Sequence, residues 1–135
     1  PDYSGTCILL AEDNEMNREI IVDLLSDFGV DVETACNGAE ALEKVTSSEP
    51  GRYALVLMDI QMPVMNGLEA ASAIRASGHP DAARLPIIVL SAGAFEEDVQ
   101  RSLHHGMQDH LSKPMNLDDV HDVFHRFIDQ QEEPQ

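Results

Sequence analysis

The chain has 135 residues, the size of one ordinary domain, and its apolar share of 43% is enough for a globular core. Twenty-five acids against eight bases give a net charge of −17, which excludes nucleic-acid binding through this domain, because phosphate contacts need clustered Lys and Arg. No apolar run approaches the roughly 18 residues that span a bilayer, and no basic-then-apolar opening segment reads as a secretory signal, so no membrane insertion and a cytoplasmic location are expected.

In chain order, residues 7–11 form an apolar strand that ends in Glu12 and Asp13. Residues 15–28 place Ile20, Ile21, Leu24, Leu25 and Phe28 on one face of a helix, with Asn14 as its cap. A strand over 30–34 is followed by a helix over 38–47 that turns Leu42 and Val45 inward. The run 53–58 is the third strand; it leads into Asp59 and a loop containing Pro63 and Gly67. The next helix, over 68–76, is capped by Asn66 and carries Leu68, Ala71 and Ile74. The fourth strand, 86–90, runs into Ser91, Ala92 and Gly93. A helix over 95–105, a strand over 109–112 that leads to Lys113 and Pro114, and a helix over 117–131 complete the chain. The last helix turns Leu117, Val120, Phe124, Phe127 and Ile128 to one side. Gly29, Gly51, Gly78 and Gly106 each follow a helix.

Continuous apolar strands alternating with amphipathic helices predict a doubly wound α/β fold with a five-stranded parallel sheet and helices on both faces, for which 2-1-3-4-5, one of the two common orders, is expected. A single domain over 1–135 is expected, with an ordered core over about 5–130 and a frayed tail over 132–135. The missing initiator at Pro1 suggests a piece of something longer. Cys7 and Cys36 lack a CxxC spacing and are read as reduced packing residues.

In such sheets the working residues lie beyond the C-terminal strand ends, where strand order reverses. Strands one and three flank that point, and Glu12, Asp13 and Asp59 end them. A lone Asp after a strand is most often a turn or cap residue, Lys113 alone would be a solvated lysine, and Ser91 alone a helix cap. Here each falls at the same end of its own strand. Three carboxylates and one ammonium leave a formal charge of −2, which suits one Mg²⁺ ion.

The segments LLAEDN (9–14), LMDIQMPVMNG (57–67), VLSA (89–92) and LSKP (111–114) resemble the response-regulator receiver family, in the right order and over nearly the whole chain. Asp13 through Arg18 and the DIQMP run at Asp59 are most similar to receivers of hybrid sensor histidine kinases. The resemblance implies the flavodoxin-like version of the fold. It implies that Asp59 is the phosphoacceptor, taking a phosphoryl group from a phosphohistidine on a histidine kinase or histidine phosphotransfer protein. Asp13, Asp59 and the backbone carbonyl of Gln61 would ligate Mg²⁺, or Mn²⁺ as a substitute, with Glu12 acting through water. Lys113, Ser91 and the Ala92 amide would hold phosphoryl oxygens, and the Lys113–Pro114 bond would be cis. Ser91 and the residue at the aromatic position, His110, would switch the surface made by the 95–105 helix, the fifth strand and the last helix. Family members more often carry Tyr or Phe at that position, so His110 makes weak or pH-sensitive coupling the expectation. Gln61 and Gly93 offer no carboxylate to activate water. The domain is expected to act as a signalling module rather than a turnover enzyme, compatible with a homodimer and with tethering to a membrane-bound sensor kinase.

Rival chemistries fit less well. A dehalogenase-type phosphatase needs a second Asp two residues after the nucleophile, where Gln61 stands. An FMN site would not open with Glu12 and Asp13 against a phosphate. A calcium loop starting at Asp13 meets Arg18 in its sixth position and Leu24 in its twelfth. His121 and His125 are spaced for metal but lack an evident third ligand.

Overall fold

The computed structural model describes residues 5–60, 62–82, 84–91, 109–112 and 117–129, the backbone alone at 91, 109–112 and 129. Five parallel strands, β1 (Cys7–Ala11), β2 (Asp31–Ala35), β3 (Leu55–Asp59), β4 (Ile87–Ser91) and β5 (Asp109–Ser112), form one sheet in the order β2-β1-β3-β4-β5. The parallel sense is the one the strand patterns predict, and the order is the one expected for the flavodoxin-like fold. A strand covered by helices on both faces is apolar along its length, and β1 and β3 are buried from end to end, with Asp59 the one charged residue, at the C-terminal end of β3.

Strand alternation divides the core in two. Leu9, Ala11, Val56, Met58, Ile87 and Val89 face the helices α2 (Gly38–Ser47) and α3 (Gly67–Arg75). Ile8, Leu10, Leu55, Leu57, Ile88 and Leu90 face α1 (Glu15–Ser26) and the C-terminal helix (Leu117–Phe124). Phe124 is the largest fully buried side chain among the described residues, and its ring stands edge-on to Phe28 at 5.1 Å between centroids. Burying such a side chain stabilises the fold by about 1.5–3 kcal/mol.

Helix starts follow the caps that the sequence carries. Asn14 accepts the Asn17 N–H at 3.0 Å, and Asn66 and Glu69 exchange side-chain and backbone hydrogen bonds as a full capping box. Asn37 caps α2 in the same way, accepting the Glu40 N–H at 2.8 Å. The strands β2, β3 and β4 are shifted one or two residues C-terminal to the predicted ranges, so Asp59 and Ser91 are the last strand residues rather than the first loop residues. α1 ends at Ser26, and the last helix changes from α at Phe124 to a π-helical turn over His125–Asp129.

Three expectations are corrected. Ile20, assigned to the buried face of α1, is 60% exposed: Ile21 and Leu25 fill the space against the sheet, and Ile20 lies to the side of that contact. Leu117, at the start of its helix, is 46% exposed. Cys36 is exposed and does not pack, whereas Cys7 is buried; both thiols are free. The helix over 95–105, Gly106, the Lys113–Pro114 bond and the 132–135 tail lie outside the described residues.

At the N-terminal end of the sheet, Glu33 of β2 gathers three donors: Arg52 as an ion pair, the Tyr53 hydroxyl at 3.0 Å and the Cys7 thiol at 3.7 Å. Burial, reinforced by the hydrogen bond to Glu33, pushes the Tyr53 hydroxyl from its ordinary value of 10.0 up to about 12. A raised pKa in the folded state favours folding below pH 10, and that contribution is lost as pH rises from 10 toward 12. In an ultraviolet titration, the tyrosinate band removed by Tyr53→Phe is therefore expected to appear near pH 12; a band already complete at pH 10.5 would contradict the buried hydrogen bond.

Candidate functional site

The register between β1 and β3 builds the site. Ala11 pairs with Met58, so one further step along both chains brings Glu12 beside Asp59. Leu55 and Leu57 face α1, and strand alternation sets Asp59 on that same face. The carboxylates of Glu12, Asp13 and Asp59 converge, with one oxygen from each lying within 4.8 Å of the other two. Among the described residues, Glu12 at 1% exposure and Asp59 at 6% are the two buried charged side chains; Asp13 is exposed.

Charges this close repel by roughly 3 kcal/mol per pair at an effective dielectric constant of about 20, and by less where Asp13 meets solvent. Such an arrangement wants positive charge at its centre. The donor set consists of oxygens alone, half-enclosed and negatively charged, which fits a hard divalent cation such as Mg²⁺ rather than a thiolate- or imidazole-seeking metal.

Several bonds hold the acid segment in place. The Glu12 N–H donates to the Ala35 carbonyl at 3.0 Å, extending the β1–β2 ladder by one residue. The Asn14 N–H donates to Glu12 Oε2 at 3.2 Å. Arg18 Nη1 donates to the carbonyl oxygens of Glu12 at 2.9 Å and Asp13 at 3.2 Å. This use of Arg18 was not apparent from the residue pattern, although one signal was present. A cation in the first turn of a helix opposes the macrodipole, so its placement there asks for another reason.

On the β3 side, the Ile60 N–H donates to the Leu90 carbonyl at 3.1 Å, and the Gly67 N–H returns to the Ile60 carbonyl at 2.8 Å. The loop thus leaves Asp59 and closes back upon it. A Cβ on Gly67 would overlap the Asp59 carbonyl oxygen and lie 3.0 Å from its carbonyl carbon. Gly38, at the start of α2, meets the far side of this loop: its N–H donates to the Met65 carbonyl at 2.8 Å, and a Cβ there would overlap that same oxygen. Val64, at the tip of the loop, has φ +68° and is 84% exposed. That backbone region is costly for a β-branched residue, and strain of this kind tends to gather beside functional sites.

Of the residues singled out from the sequence, the structure brings together Glu12, Asp13 and Asp59. Ser91 ends β4 one step beyond the Asp59–Leu90 pair and opposite Ser112, the last residue of β5. His110 pairs with Val89 within β5. Gln61, Ala92, Gly93 and Lys113 lie outside the described residues. His121 and His125 are exposed, and among the described residues no third ligand joins them.

Fold and site together define a class: a doubly wound α/β domain that carries an acid cluster at its topological switch point. A family model described as the response regulator receiver domain matches residues 8–125, and the chain belongs to that family. Hybrid signal transduction histidine kinase G of Dictyostelium discoideum is 41% identical over 122 residues, which cover 89% of this chain and 3% of that protein. The receiver domain of a sensor histidine kinase from Pseudomonas aeruginosa PAO1, solved with a magnesium ion coordinated in its active-site cleft, superimposes with a TM-score of 0.83 at 34% identity. That match covers 93% of this chain and 99% of the other. The receiver domain of Ssk1 from Saccharomyces cerevisiae, solved with the histidine phosphotransfer protein Ypd1, gives a TM-score of 0.85 at 28% identity, covering 98% and 95%.

Proposed function

We propose that this chain is the phosphoacceptor module of a phosphorelay, and that Asp59 receives the phosphoryl group. The observation that carries the reading is the meeting of three carboxylates, two of them buried, at the switch point of the sheet. A carboxylate oxygen of Asp59 attacks the phosphorus of a phosphohistidine; the P–O bond forms as the P–N bond breaks, and the imidazole nitrogen leaves with the electron pair. Such a transfer asks little of the protein beyond in-line positioning and charge neutralisation.

Asp13, Asp59 and the Gln61 carbonyl would hold Mg²⁺ directly, with Glu12 acting through water and Mn²⁺ as a substitute. When bound, the ion would neutralise charge developing on the phosphoryl oxygens. The acid convergence and the magnesium in the P. aeruginosa receiver support this assignment. Burial fixes Asp59, and the loop closed by Gly67 limits the paths by which a phosphorus can approach it. Ser91, the Ala92 amide and Lys113 would take the remaining phosphoryl oxygens; support comes from Ser91 ending the strand next to β3 and from β5 leading toward Lys113.

The donor would be a histidine kinase or a histidine phosphotransfer protein, as the Ssk1–Ypd1 complex suggests. Exposed apolar side chains stand on both segments that leave the acids, Met16 and Ile20 on α1 and Val64 after β3, and would receive a partner surface. Phosphorylation would then bias the surface formed by the 95–105 segment, β5 and the C-terminal helix through Ser91 and His110. In this reading the module turns over no external substrate. It works as one domain in the cytoplasm, within a hybrid histidine kinase of the kind its relative exemplifies.

The test is incubation with acetyl phosphate and Mg²⁺, followed by intact mass. A single phosphate adduct is expected, and removing the divalent ion with EDTA is expected to slow its formation roughly 100-fold or more. Uptake that proceeds equally fast in EDTA would overturn the proposal.

A further inference from the structure

We infer that Arg18 is a positioning residue for the divalent-cation site, an inference that rests on the reading of Glu12, Asp13 and Asp59 as that site. One guanidinium nitrogen, Nη1, donates to two successive carbonyl oxygens, those of Glu12 and Asp13. For both carbonyls to reach one donor they must turn to the same side, which fixes the peptide planes on either side of Asp13. The direction of a Cβ follows from those planes, so Arg18 sets where the Asp13 carboxylate points.

Asp13 needs this more than its neighbours. Glu12 is fully buried, tied to Ala35 through its N–H and to Asn14 through its carboxylate. Asp59 is buried at the end of a central strand. Asp13 is exposed, and a loop carboxylate with no packing around it would otherwise sample many directions. Arg18 is itself half-buried and belongs to α1, which is anchored to the sheet by Ile21 and Leu25. The exposed ligand is thereby referenced to the core.

Two effects of Arg18 oppose one another, and the sign of an experiment separates them. Its positive charge beside the cluster disfavours a divalent cation, so charge alone predicts tighter Mg²⁺ binding when it is removed. Its hold on the two carbonyls favours the cation, because outer partners that orient ligands typically change metal affinity 10–100-fold. The close double hydrogen bond makes positioning the larger effect.

The test is the Mg²⁺ dissociation constant measured by isothermal titration calorimetry on the full chain, with unfolding in EDTA recorded alongside. Arg18→Met keeps the aliphatic stem and loses both donors and charge; it is expected to weaken Mg²⁺ binding about tenfold, while the metal-free melting temperature shifts little. Arg18→Lys keeps the charge and one donor but cannot reproduce the fork, and is expected to bind Mg²⁺ about threefold more weakly than wild type, between wild type and the Met variant. Unchanged or tighter binding by the folded Met variant would overturn the inference. Should that variant not fold, Lys decides: binding about threefold weaker supports positioning, and wild-type affinity removes it. Asp13→Asn and Asp59→Asn serve as controls. If neither weakens Mg²⁺ binding, the cation site itself is wrong, a result separate from any effect of Arg18.

Discussion

Asp59→Asn is expected to abolish phosphate uptake while leaving the fold in place and, without a divalent ion, raising its stability. The amide has nearly the shape of the carboxylate, so the packing around a side chain that is 6% exposed is preserved. What changes is chemistry and charge. An amide oxygen carries no full negative charge and is a poor nucleophile toward phosphorus, so the adduct seen in the wild type should fall to background. Removing one of three carboxylates within 4.8 Å of one another also relieves repulsion. With partial screening by solvent at Asp13, the gain should be on the order of 1–3 kcal/mol. The variant should lose most of its stabilisation by Mg²⁺ at the same time, since a cation stabilises the native state appreciably only where its concentration exceeds its dissociation constant. Intact mass after acetyl phosphate treatment and urea unfolding with and without Mg²⁺ give both readouts. A phosphate adduct persisting on the variant would place the acceptor elsewhere.

Gly67→Ala is expected to be the most damaging single-methyl change in the site, costing about 3 kcal/mol or more. On an exposed helix face, replacing Gly by Ala favours the helix by up to about 1 kcal/mol. At Gly67 the sign reverses, because the added Cβ would collide with the carbonyl oxygen of Asp59, and the opposing atom is backbone in a central strand. No rotamer change can relieve that contact. The Ile60 N–H to Leu90 bond and the Gly67 N–H to Ile60 bond hold both sides of the gap, so one of them must break. The residue displaced is the one that bears the proposed nucleophile. A shift of about 1 Å at that point should slow phosphate uptake roughly 100-fold in the molecules that remain folded. Urea unfolding and single-turnover phosphorylation measure the two effects. Stability within about 0.5 kcal/mol of wild type would show that the loop approaches Asp59 less closely than described.

These two residues were unequally legible in the sequence. Asp59 stood out because a carboxylate directly after an apolar strand has few reasons to be there. Gly67 read only as loop punctuation, since a glycine needed for close approach and one needed for a turn look alike in one dimension. Arg18 offered only its unfavourable place in the first turn of α1. Gly38 gave no signal beyond a helix start, although it seats α2 against the loop that follows Asp59. Ile20 misled for a related reason: helical periodicity defines an apolar face, but the width of that face actually covered depends on where the sheet ends.

The amino-acid pattern alone carried the parallel α/β sheet, the caps Asn14 and Asn66, and the strand ends at which acids would gather. Those features follow from local periodicity, from capping chemistry and from the rule that fully covered strands are apolar throughout. Tertiary structure decided the rest. The pairing of Ala11 with Met58 makes Glu12 and Asp59 neighbours, the crowding at Gly67 and Gly38 closes the loop, and the reach of Arg18 to two carbonyls sets the acid segment. Each of these depends on the separation between segments far apart in the chain, and that distance is fixed only when the two cores pack.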